Sequence, residues 1–406
     1  MSYPPRPVLS PRQLAVAIAA LAMGGFAIGT TEFAIMGLLQ EMVDELGVTY
    51  AQGGHIISAY ALGVVVGAPL LATLGAKRPQ RSMAVWLMVA FVVANFSSYF
   101  AAGYGWMLVS RFLSGLPHGA YFGVAAVIAA SLANPTHRAR AISMVMLGLS
   151  IANVVGVPFA TWLGQQVGWR SLFLLVGVIG VVTVALILRY VPFQAPHPDA
   201  SIRRELGALR RPQMWMTLLI GTVGFGGFFA VYSYISPTIT EVTGLPSAVL
   251  PIVVALYGVG MVVGNIVGGR IADRSVMGSI YGVMGVIVVV LLIFPLAMQF
   301  APTAFLFAFL VGASGSTLIP PLQARLLDVA PGAPSLASSM NHAALNIANG
   351  LGATVGGVVI ALGWGFTAPA LVGAGLAVLG LVIALISGRM DAGTQPSAQP
   401  APEHAV

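Results

Sequence analysis

The chain has 406 residues, of which 58% are hydrophobic and 7% charged, and its net charge is +7. Soluble domains carry roughly 25% charged residues, and no soluble fold of this length hides so much apolar surface. The composition therefore excludes a soluble globular protein and indicates a chain embedded in a lipid bilayer. The absence of cysteine excludes disulfide bonds and thiolate metal sites.

Turn residues and charges divide the chain into twelve apolar segments, and each is long enough for a membrane-spanning helix of about 20 residues. The N-terminal segment, residues 1–12, is short, Pro-rich and basic. The apolar run after this segment lacks a small-residue cleavage site, so the run is predicted to be the first span and not a removed signal peptide. The predicted spans are 13–39, 52–75, 82–102, 106–132, 140–165, 170–191, 214–239, 247–270, 277–298, 301–328, 335–361 and 366–387.

Basic residues favour one side of these predicted spans. Sixteen of the 18 Lys and Arg residues fall on that side, with Arg170 on the other side and Arg111 inside a span. Because cytoplasmic loops carry the excess of Lys and Arg, both termini are predicted to be cytoplasmic. Loop topology thus accounts for the positive charge, and no nucleic-acid partner is expected.

The longest connection between spans is residues 192–213, which are polar and basic and predict a cytoplasmic linker. It separates a predicted N-terminal six-helix bundle, 13–191, from a C-terminal one, 214–388. The end of the chain, 389–406, is rich in Pro, Ala and Gln and is predicted to be a disordered cytoplasmic tail.

The two halves resemble each other at a fixed spacing. The segment Tyr60–Gly67 (YALGVVVG) resembles Tyr257–Gly264 (YGVGMVVG), 197 positions later. Chance similarity between apolar segments is the competing explanation, but four regions agree to within one residue. The chain is therefore predicted to be an all-α membrane protein with twelve transmembrane helices, in two six-helix bundles related by a parallel internal repeat. The other related pairs are Gly29 with Gly226, Gly115 with Gly312, and Asn153 with Asn349.

Two charges inside predicted spans occur in the first half alone, since Glu32 aligns with Phe229 and Arg111 with Ala308. Burial disfavours an ionised carboxylate, which suits a group that binds and releases protons. A buried guanidinium needs partners, and Glu32 or carbonyls of the first span are candidates. The alternatives are a solvated structural Glu32 near the helix end and an Arg111 that merely snorkels.

His118 follows Arg111 by seven residues and shares its helix face. A histidine facing Glu32 can relay protons, so Glu32, Arg111 and His118 form the predicted proton-coupling set. The alternative for His118 is a hydrogen bond to a neighbouring carbonyl or hydroxyl.

A second group of polar residues is predicted to line a substrate cavity between the bundles. For the asparagines, helix packing is an alternative role, and the tyrosines can equally face lipid. The members are Asn153, Tyr232, Tyr234, His342 and Asn349.

Charged residues after the second and eighth spans predict a cytoplasmic gate. Asp273, flanked by Arg270 and Arg274, can pair with helix ends and hold such a gate closed, whereas a solvated loop is the alternative. The residues at the corresponding place in the first half are Lys77, Arg78 and Arg81.

No enzyme motif is present: there is no P-loop, no HExxH and no GxSxG, and acidic residues are too sparse for a paired-carboxylate site. An enzyme and a nucleotide-driven pump are therefore not expected, and neither a cofactor nor a metal is predicted.

Several of these motifs together resemble the major facilitator superfamily, and within it the drug:proton antiporters of the arabinose-efflux and chloramphenicol-resistance type. Thr30–Phe33 (TTEF) resembles the first-span pattern, and Arg111 with Gly115 is similar to a fourth-span motif that the family links to proton coupling. Gly168–Arg170 (GWR) resembles the exit from the fifth span. The fifth span lacks the usual Gly-Pro pair, and Ala76 stands where the repeat has Asp273.

The resemblance implies a proton-coupled exporter of drugs or sugars that works by alternating access, as a monomer, in a bacterial inner membrane. Its expected partners are a small-molecule substrate, protons and membrane lipid. Two alternatives stay open, a proton-coupled importer on the same fold and a membrane sensor or scaffold that transports nothing.

Overall fold

The computed structural model describes residues 9–75, 78–134, 138–193, 207–330 and 334–392. Every regular element within these residues is helical, and twelve segments are long and apolar enough to cross a membrane. The predicted all-α fold class is thereby confirmed. In chain order the spans are Pro11–Gly37, Tyr50–Leu71, Gln80–Tyr99, Tyr104–Leu132, Ala141–Val167, Ser171–Tyr190, Pro212–Ser233, Ser247–Ala272, Val276–Ala297, Ala301–Val329, Ser339–Ala361 and Ala368–Asp391.

Local chemistry sets the ends of the first span. Ser10 and Gln13 form a reciprocal capping box. The backbone N–H of Gln13 donates to Ser10 Oγ over 3.3 Å, and the backbone N–H of Ser10 donates to Gln13 Oε1 over 2.9 Å. The helix ends at Gly37, and a short helix, Leu39–Leu46, follows outside the span. That helix ends at Gly47, whose φ of 63° is the left-handed conformation that glycine adopts without strain.

The seventh span ends earlier than the sequence predicted, at Ser233 instead of residue 239. It consists of the helices Pro212–Gly224 and Gly226–Ser233, and a new short helical turn starts at Ile235. Pro237 lacks the amide hydrogen that would bond the carbonyl of Ser233, so the regular helix cannot continue there. All other predicted bounds differ from the structure by at most four residues.

Two other spans are interrupted. The fifth contains a π-helical turn, Ala152–Gly156, between the helices Arg138–Ile151 and Val157–Val167. The tenth consists of the helices Ala301–Thr317 and Ile319–Val329, and the second of these begins with two prolines, which are tolerated in a first helical turn.

The remaining helices are unbroken across their spans. Some of these helices are longer than their membrane-spanning segment, because the helical hydrogen bonds continue past its ends. Their bounds are Tyr50–Gly75, Gln80–Tyr99, Tyr104–Leu132, Ser171–Tyr190, Leu250–Ala272, Val276–Ala297, Pro334–Ala361 and Ala368–Ala392.

The spans pack as two six-helix bundles with the same internal order. In the first bundle the second span packs on the fourth, the third on the sixth, and the first on the fifth and sixth. In the second bundle the eighth packs on the tenth, the ninth on the twelfth, and the seventh on the eleventh and twelfth. The bundles meet where the second span packs on the eleventh and the fifth on the eighth. This order is that of the predicted parallel repeat.

The repeat extends to individual atoms at the closest helix pair of each bundle. A Cβ on Gly115 would lie 2.1 Å from the carbonyl oxygen of Tyr60, and a Cβ on Gly312 would lie 2.2 Å from that of Tyr257. Only glycine permits this approach, so each helix pair depends on it. The same relation holds for Gly63 against Phe112 and Gly260 against Phe309, and for Gly67 against Leu116 and Gly264 against Ala313.

On the membrane side opposite the linker, here called the distal side, one carboxylate ties the loops of the first bundle together. Trp169 Nε1 donates to Glu45 Oε2 over 2.7 Å, and Arg170 forms an ion pair with the other oxygen of Glu45. Arg170 also donates to the carbonyl of Ala101 over 3.2 Å. The Gly168–Arg170 motif therefore connects the loops after the first, third and fifth spans.

The domain bounds 13–191 and 214–388 and the cytoplasmic placement of both termini stay predictions. Residues 194–206 of the predicted linker, residues 393–406 of the predicted tail and the first eight residues lie outside the described residues.

Substitution of Gly115 tests the close helix pair. We expect Gly115→Ala to lower the melting temperature of the purified protein, because the new Cβ must push the second and fourth spans apart, at a cost of about 1–3 kcal/mol. Gly285→Ala is the matched control, since its Cβ would meet no atom within 4 Å. Thermal unfolding in detergent measures both. Equal melting temperatures for the two variants would contradict the packing described here.

Candidate functional site

Glu32 lies at the boundary of the two bundles and is only 6% exposed. Its carboxyl group is within electrostatic range of Arg111 and Tyr60 in its own bundle, and of Tyr232 in the other. The Asn349 amide of the eleventh span faces it across the boundary. We call these five residues, from five different spans, the Glu32 cluster.

Arg111 is completely buried and is held by the first span. Its Nη1 donates to Thr31 Oγ1 over 3.1 Å and its Nη2 to the Thr31 carbonyl over 3.4 Å. The guanidinium carbon lies 4.2 Å from the centroid of the Tyr60 ring, a cation–π contact. The sequence offered two partners for Arg111, the carboxyl of Glu32 and carbonyls of the first span. The structure shows a hydrogen bond to a carbonyl, that of Thr31. The ion pairs among the described residues join Arg170 to Glu45 and Arg325 to Asp391, and none joins Arg111 to Glu32.

A buried hydrogen-bond chain fixes the position of Thr31. Its hydroxyl donates to Asn95 Oδ1 over 2.9 Å, and Asn95 Nδ2 donates to the carbonyl of Phe91 over 2.9 Å. The guanidinium is thereby anchored through Thr31 to the third span. This anchoring leaves the Glu32 carboxyl within range of a positive charge without a direct bond to it.

The two histidines of the predicted sets meet each other across the bundle boundary. His118 Nδ1 lies 3.0 Å from the Tyr60 hydroxyl, so its described hydrogen bond goes to Tyr60, whereas the sequence hypothesis had it facing Glu32. The centroid of the His118 ring lies 6.3 Å from that of His342. Phe122 stacks on His342 with ring planes 2° apart. A neighbouring hydroxyl was the alternative considered for His118.

The buried asparagines differ in how far their hydrogen bonds are satisfied. Asn153 Nδ2 donates to the carbonyl of Leu149 over 3.0 Å, which leaves only its Oδ1 without a partner. Asn349 is 1% exposed, and within the described residues neither of its amide atoms completes a hydrogen bond of normal geometry. Leaving such a group unpaired in the interior costs about 1–3 kcal/mol. The hydrogen-bonding capacity of the Asn349 amide is therefore unused among the described residues.

The two tyrosines of the predicted cavity set are buried, which excludes the lipid-facing alternative. Tyr232 stacks on Tyr257 with centroids 3.8 Å apart and lies 5.9 Å from the ring of Phe33 in the other bundle. Tyr234 instead packs against Gly54 and donates to the carbonyl of Ala353 over 2.6 Å. Tyr232 is thus part of the Glu32 cluster, whereas Tyr234 lies in the contact between the second and eleventh spans.

On the distal side, neutral hydrogen bonds join the bundles. Thr240 donates to Gln40 Oε1 over 3.0 Å, Gln165 Nε2 donates to the Ser247 carbonyl over 2.8 Å, and Ser58 donates to the Gly350 carbonyl over 3.1 Å. We call these contacts the distal seam. The hydrogen bonds described between the bundles all lie here, so the structure is closed on the distal side.

The predicted gate residues lie on the linker side. Lys77 is outside the described residues, and Arg78, Arg270, Asp273 and Arg274 are exposed. Arg81 donates to the carbonyl of Leu188 in the sixth span. Asp273 has no ion pair within the described part of the chain. The exposure of these residues agrees with the alternative of a solvated loop. The cytoplasmic gate stays a prediction.

Sequence reasoning overlooked four residues that shape this region. Thr31 stands beside Glu32 in the motif Thr30–Phe33, and Tyr60 is the first residue of the repeated segment Tyr60–Gly67. For neither residue was a contact with Arg111 predicted. Asn95, a lone amide in a long charge-free segment, carried a signal of its own, because a buried amide needs partners. Glu41, for which the sequence predicted no role, lies beside the distal seam.

Glu41 belongs to the short helix Leu39–Leu46 and is half-buried near Gln165. Its Oε2 is buried without a hydrogen-bond partner among the described residues. Burial, with a smaller contribution from the negative charge of Asp44, raises the pKa of the Glu41 carboxyl above its ordinary value. The ionised form therefore destabilises the folded protein.

Comparison with known proteins gives consistent matches over most of the chain. A profile of the Major Facilitator Superfamily matches residues 21–304 and 237–405. The inner membrane transport protein YdhP of Escherichia coli (strain K12) is 39% identical over 370 residues, covering 91% of this chain and 95% of YdhP. AraJ of the same strain is 33% identical over 92% of this chain and 95% of AraJ. The chloramphenicol resistance protein of Streptomyces lividans is 32% identical over 86% of this chain and 88% of that protein.

Solved structures show the likeness of fold. A bacterial homolog to the human lysosomal transporter Spinster, in an inward-facing and unoccupied conformation, superposes with a TM-score of 0.74 at 15% sequence identity. The alignment covers 96% of this chain and 100% of that one.

Removing the Thr31 hydroxyl tests the anchoring of Arg111. We expect Thr31→Val to lower the melting temperature, because Arg111 Nη1 and Asn95 Oδ1 each lose a buried partner, at about 1–3 kcal/mol for each unpaired group. Thr30→Val is the matched control, since the Thr30 hydroxyl bonds only the carbonyl four residues back, over 2.7 Å. The same melting temperature for both variants would mean that Thr31 does not hold the guanidinium.

The pH dependence of stability tests the Glu41 environment. A carboxyl whose pKa is higher in the folded state contributes stability below its unfolded pKa, and this is lost as the pH rises through the folded value. The neutral amide of Glu41→Gln lacks this loss, so its melting temperature should gain on the native protein as the pH rises above about 4, the ordinary pKa of a glutamate.

Glu45→Gln serves as the contrasting control for that series. Because it breaks the contact with Arg170, it should be less stable than the native chain at neutral pH. A constant difference between Glu41→Gln and the native protein across the pH range would show that the Glu41 carboxyl is not destabilised by burial.

Proposed function

Because the chain belongs to the Major Facilitator Superfamily, we propose that it is a proton-coupled secondary transporter that exports small organic molecules, drugs or sugars, by alternating access. The superfamily resemblance drawn from the motifs is confirmed. The protein is a multi-pass inner membrane transporter and not an enzyme. Proton coupling, export and the substrate class are the proposed part.

The single observation that carries proton coupling is the placement of Glu32, a buried carboxyl group between two bundles that move relative to each other in alternating access. An ionised carboxylate is costly in an apolar interior, so such residues inside spans are functional by default. Arg111 donates a hydrogen bond to Thr31 and stacks on the ring of Tyr60. Glu32 can therefore gain and lose a proton without breaking a direct ion pair.

Coupling requires that the proton and the substrate stabilise the two bundle arrangements differently. The Glu32 cluster meets this requirement, because Arg111 and Tyr60 move with the first bundle, while Tyr232 and Asn349 move with the second. Rocking the bundles changes the surroundings of Glu32 on one side only. Protonation therefore biases the equilibrium between the two states.

The proposed substrate class rests on the walls around Glu32 and on one relative. Phe33 of the first bundle stacks with Phe229 of the second at a centroid distance of 6.4 Å, and it also contacts the ring of Tyr232 in the second bundle. Aromatic walls with a few polar groups are typical of sites for small organic molecules. The relative from Streptomyces lividans is a chloramphenicol resistance protein, which supports an organic drug as substrate.

We further propose that the linker side is cytoplasmic, as the excess of basic residues predicts, and that the protein acts as a monomer surrounded by lipid. In that orientation the closed distal seam faces the periplasm, and the structure represents a state closed to the outside. Export then requires the distal seam to open and the linker side to close.

Transport by Glu32→Gln tests the proposal. A thermal-shift screen of the purified protein with antibiotics and sugars, beginning with chloramphenicol and arabinose, identifies a ligand. Inside-out vesicles with an acidic interior then measure its accumulation. We expect Glu32→Gln to keep the ligand-induced thermal shift but to lose the dependence of accumulation on the pH gradient, because an amide cannot exchange protons. Asp44→Asn, which alters an exposed carboxyl outside the spans, is the matched control.

Three results would overturn parts of this proposal. Native-like, gradient-driven accumulation by Glu32→Gln excludes Glu32 as the coupling residue. Accumulation in right-side-out vesicles with an acidic exterior identifies a proton-coupled importer. Ligand binding without gradient-dependent movement in either orientation identifies a sensor or scaffold.

A further inference from the structure

We propose that Asn349 is the positioning residue through which the second bundle responds to the protonation state of Glu32. This inference rests on the proposed function, in which Glu32 carries the proton. Asn349 lies in the eleventh span, is 1% exposed, and faces the Glu32 carboxyl of the first span. Within the described part of the chain, neither of its amide atoms completes a hydrogen bond of normal geometry.

The free amide is unusual among the buried asparagines of these helices. Asn153, the repeat mate of Asn349, donates to the carbonyl four residues before it, and Asn346 on the same helix donates to the carbonyl of His342 over 3.0 Å. This back-bond satisfies the Nδ2 group of an asparagine within its own helix, while the Oδ1 of each has no partner among the described residues. Asn349 does not form it, so its amide is available to a group on the other bundle.

An amide is chemically suited to both forms of a carboxyl group. The Nδ2 hydrogens donate to an ionised carboxylate, which only accepts, whereas Oδ1 accepts from the hydroxyl of a protonated carboxyl. The ionised form of Glu32 can therefore bond only the Nδ2 end of the Asn349 amide, whereas the protonated form can bond the Oδ1 end as well. Engaging the Oδ1 end requires the side chain to rotate or its helix to shift against the first span.

The backbone beside Asn349 transmits such a shift to the distal seam. The carbonyl of the next residue, Gly350, accepts a hydrogen bond from Ser58, whose hydroxyl also lies 3.0 Å from Thr354 Oγ1. A Cβ on Gly352 would lie 2.5 Å from the carbonyl oxygen of Gly226 in the seventh span. The eleventh span is thus held on two sides at this level, so a displacement cannot be absorbed locally.

Other titratable groups near this contact have to be separated from Glu32 in any pH experiment. Arg111 and Tyr60 from the first bundle and Tyr232 from the second surround the carboxyl. His342 lies on the same helix as Asn349 and pairs with His118 across the boundary. A His342→Gln variant identifies the share of any pH response that belongs to His342.

Distance measurements between the bundles test the inference directly. The chain contains no cysteine, so Ala102→Cys and Ala248→Cys, exposed sites on the distal side of the two bundles, accept spin labels without background. We expect the interbundle distance distribution in liposomes to shift with pH in the native background. Asn349→Leu should flatten this shift, and Asn349→Gln should restore part of it.

Transport gives the second readout. With the ligand found in the thermal-shift screen, Asn349→Leu should keep the thermal shift while gradient-driven accumulation falls about tenfold, the change expected when one hydrogen bond to a charged group is lost. Asn346→Leu, which removes an amide whose Nδ2 is already bonded within the same helix one turn away, is the matched control and should retain accumulation. If Asn349→Leu does not fold, Asn349→Ala replaces it in both experiments.

The outcomes separate this inference from the proposed function. If Glu32→Gln loses coupling while Asn349→Leu and Asn349→Ala keep the distance shift and the accumulation, Asn349 does not transmit the proton signal and the proposed function stands. If Asn346→Leu is as impaired as Asn349→Leu, the effect is one of helix packing and the inference fails. Unaltered coupling in Glu32→Gln refutes the proposed function and this inference together.

Discussion

Helices in a bilayer gain little from hiding apolar side chains against each other, because lipid tails are equally apolar. Their association depends instead on close contact and on polar groups that find partners. In this protein the glycines opposite the Tyr60 and Tyr257 carbonyls supply the close contact, at equivalent places in the two bundles. The pairs they hold, second with fourth and eighth with tenth, place Tyr60 and Arg111 of one bundle against the boundary with the other.

Against this symmetric scaffold the charges are distributed asymmetrically. Arg111 is neutralised in part by the Thr31 carbonyl and hydroxyl and by the ring of Tyr60, all within the first bundle. In the second bundle Ala308 and Phe229 stand at the places of Arg111 and Glu32, and aromatic stacking of Tyr232 on Tyr257 fills the region. The first bundle therefore holds the buried carboxyl and guanidinium groups, while the second presents aromatic and amide side chains to them.

The sequence was sufficient for the spans, their number and the repeat, because length, hydropathy and glycine spacing are local properties of the chain. It also singled out Glu32 and Arg111, since matching the halves exposes unmatched charges. It could not show that Arg111 binds Thr31 and not Glu32, nor that His118 forms its hydrogen bond with the hydroxyl of Tyr60. Those outcomes depend on side-chain reach across three helices, which spacing along one helix does not determine. The end of the seventh span was missed because hydropathy continues past the point where Pro237 interrupts the backbone hydrogen bonds.

The distal seam has a consequence for the energetics of opening. Its hydrogen bonds join amides, hydroxyls and carbonyls, and none of them involves a charged side chain. Separating the bundles there exposes groups that water can satisfy one for one, and no opposite charges have to be drawn apart. Opening of the bundles at the distal seam is therefore expected to depend little on ionic strength.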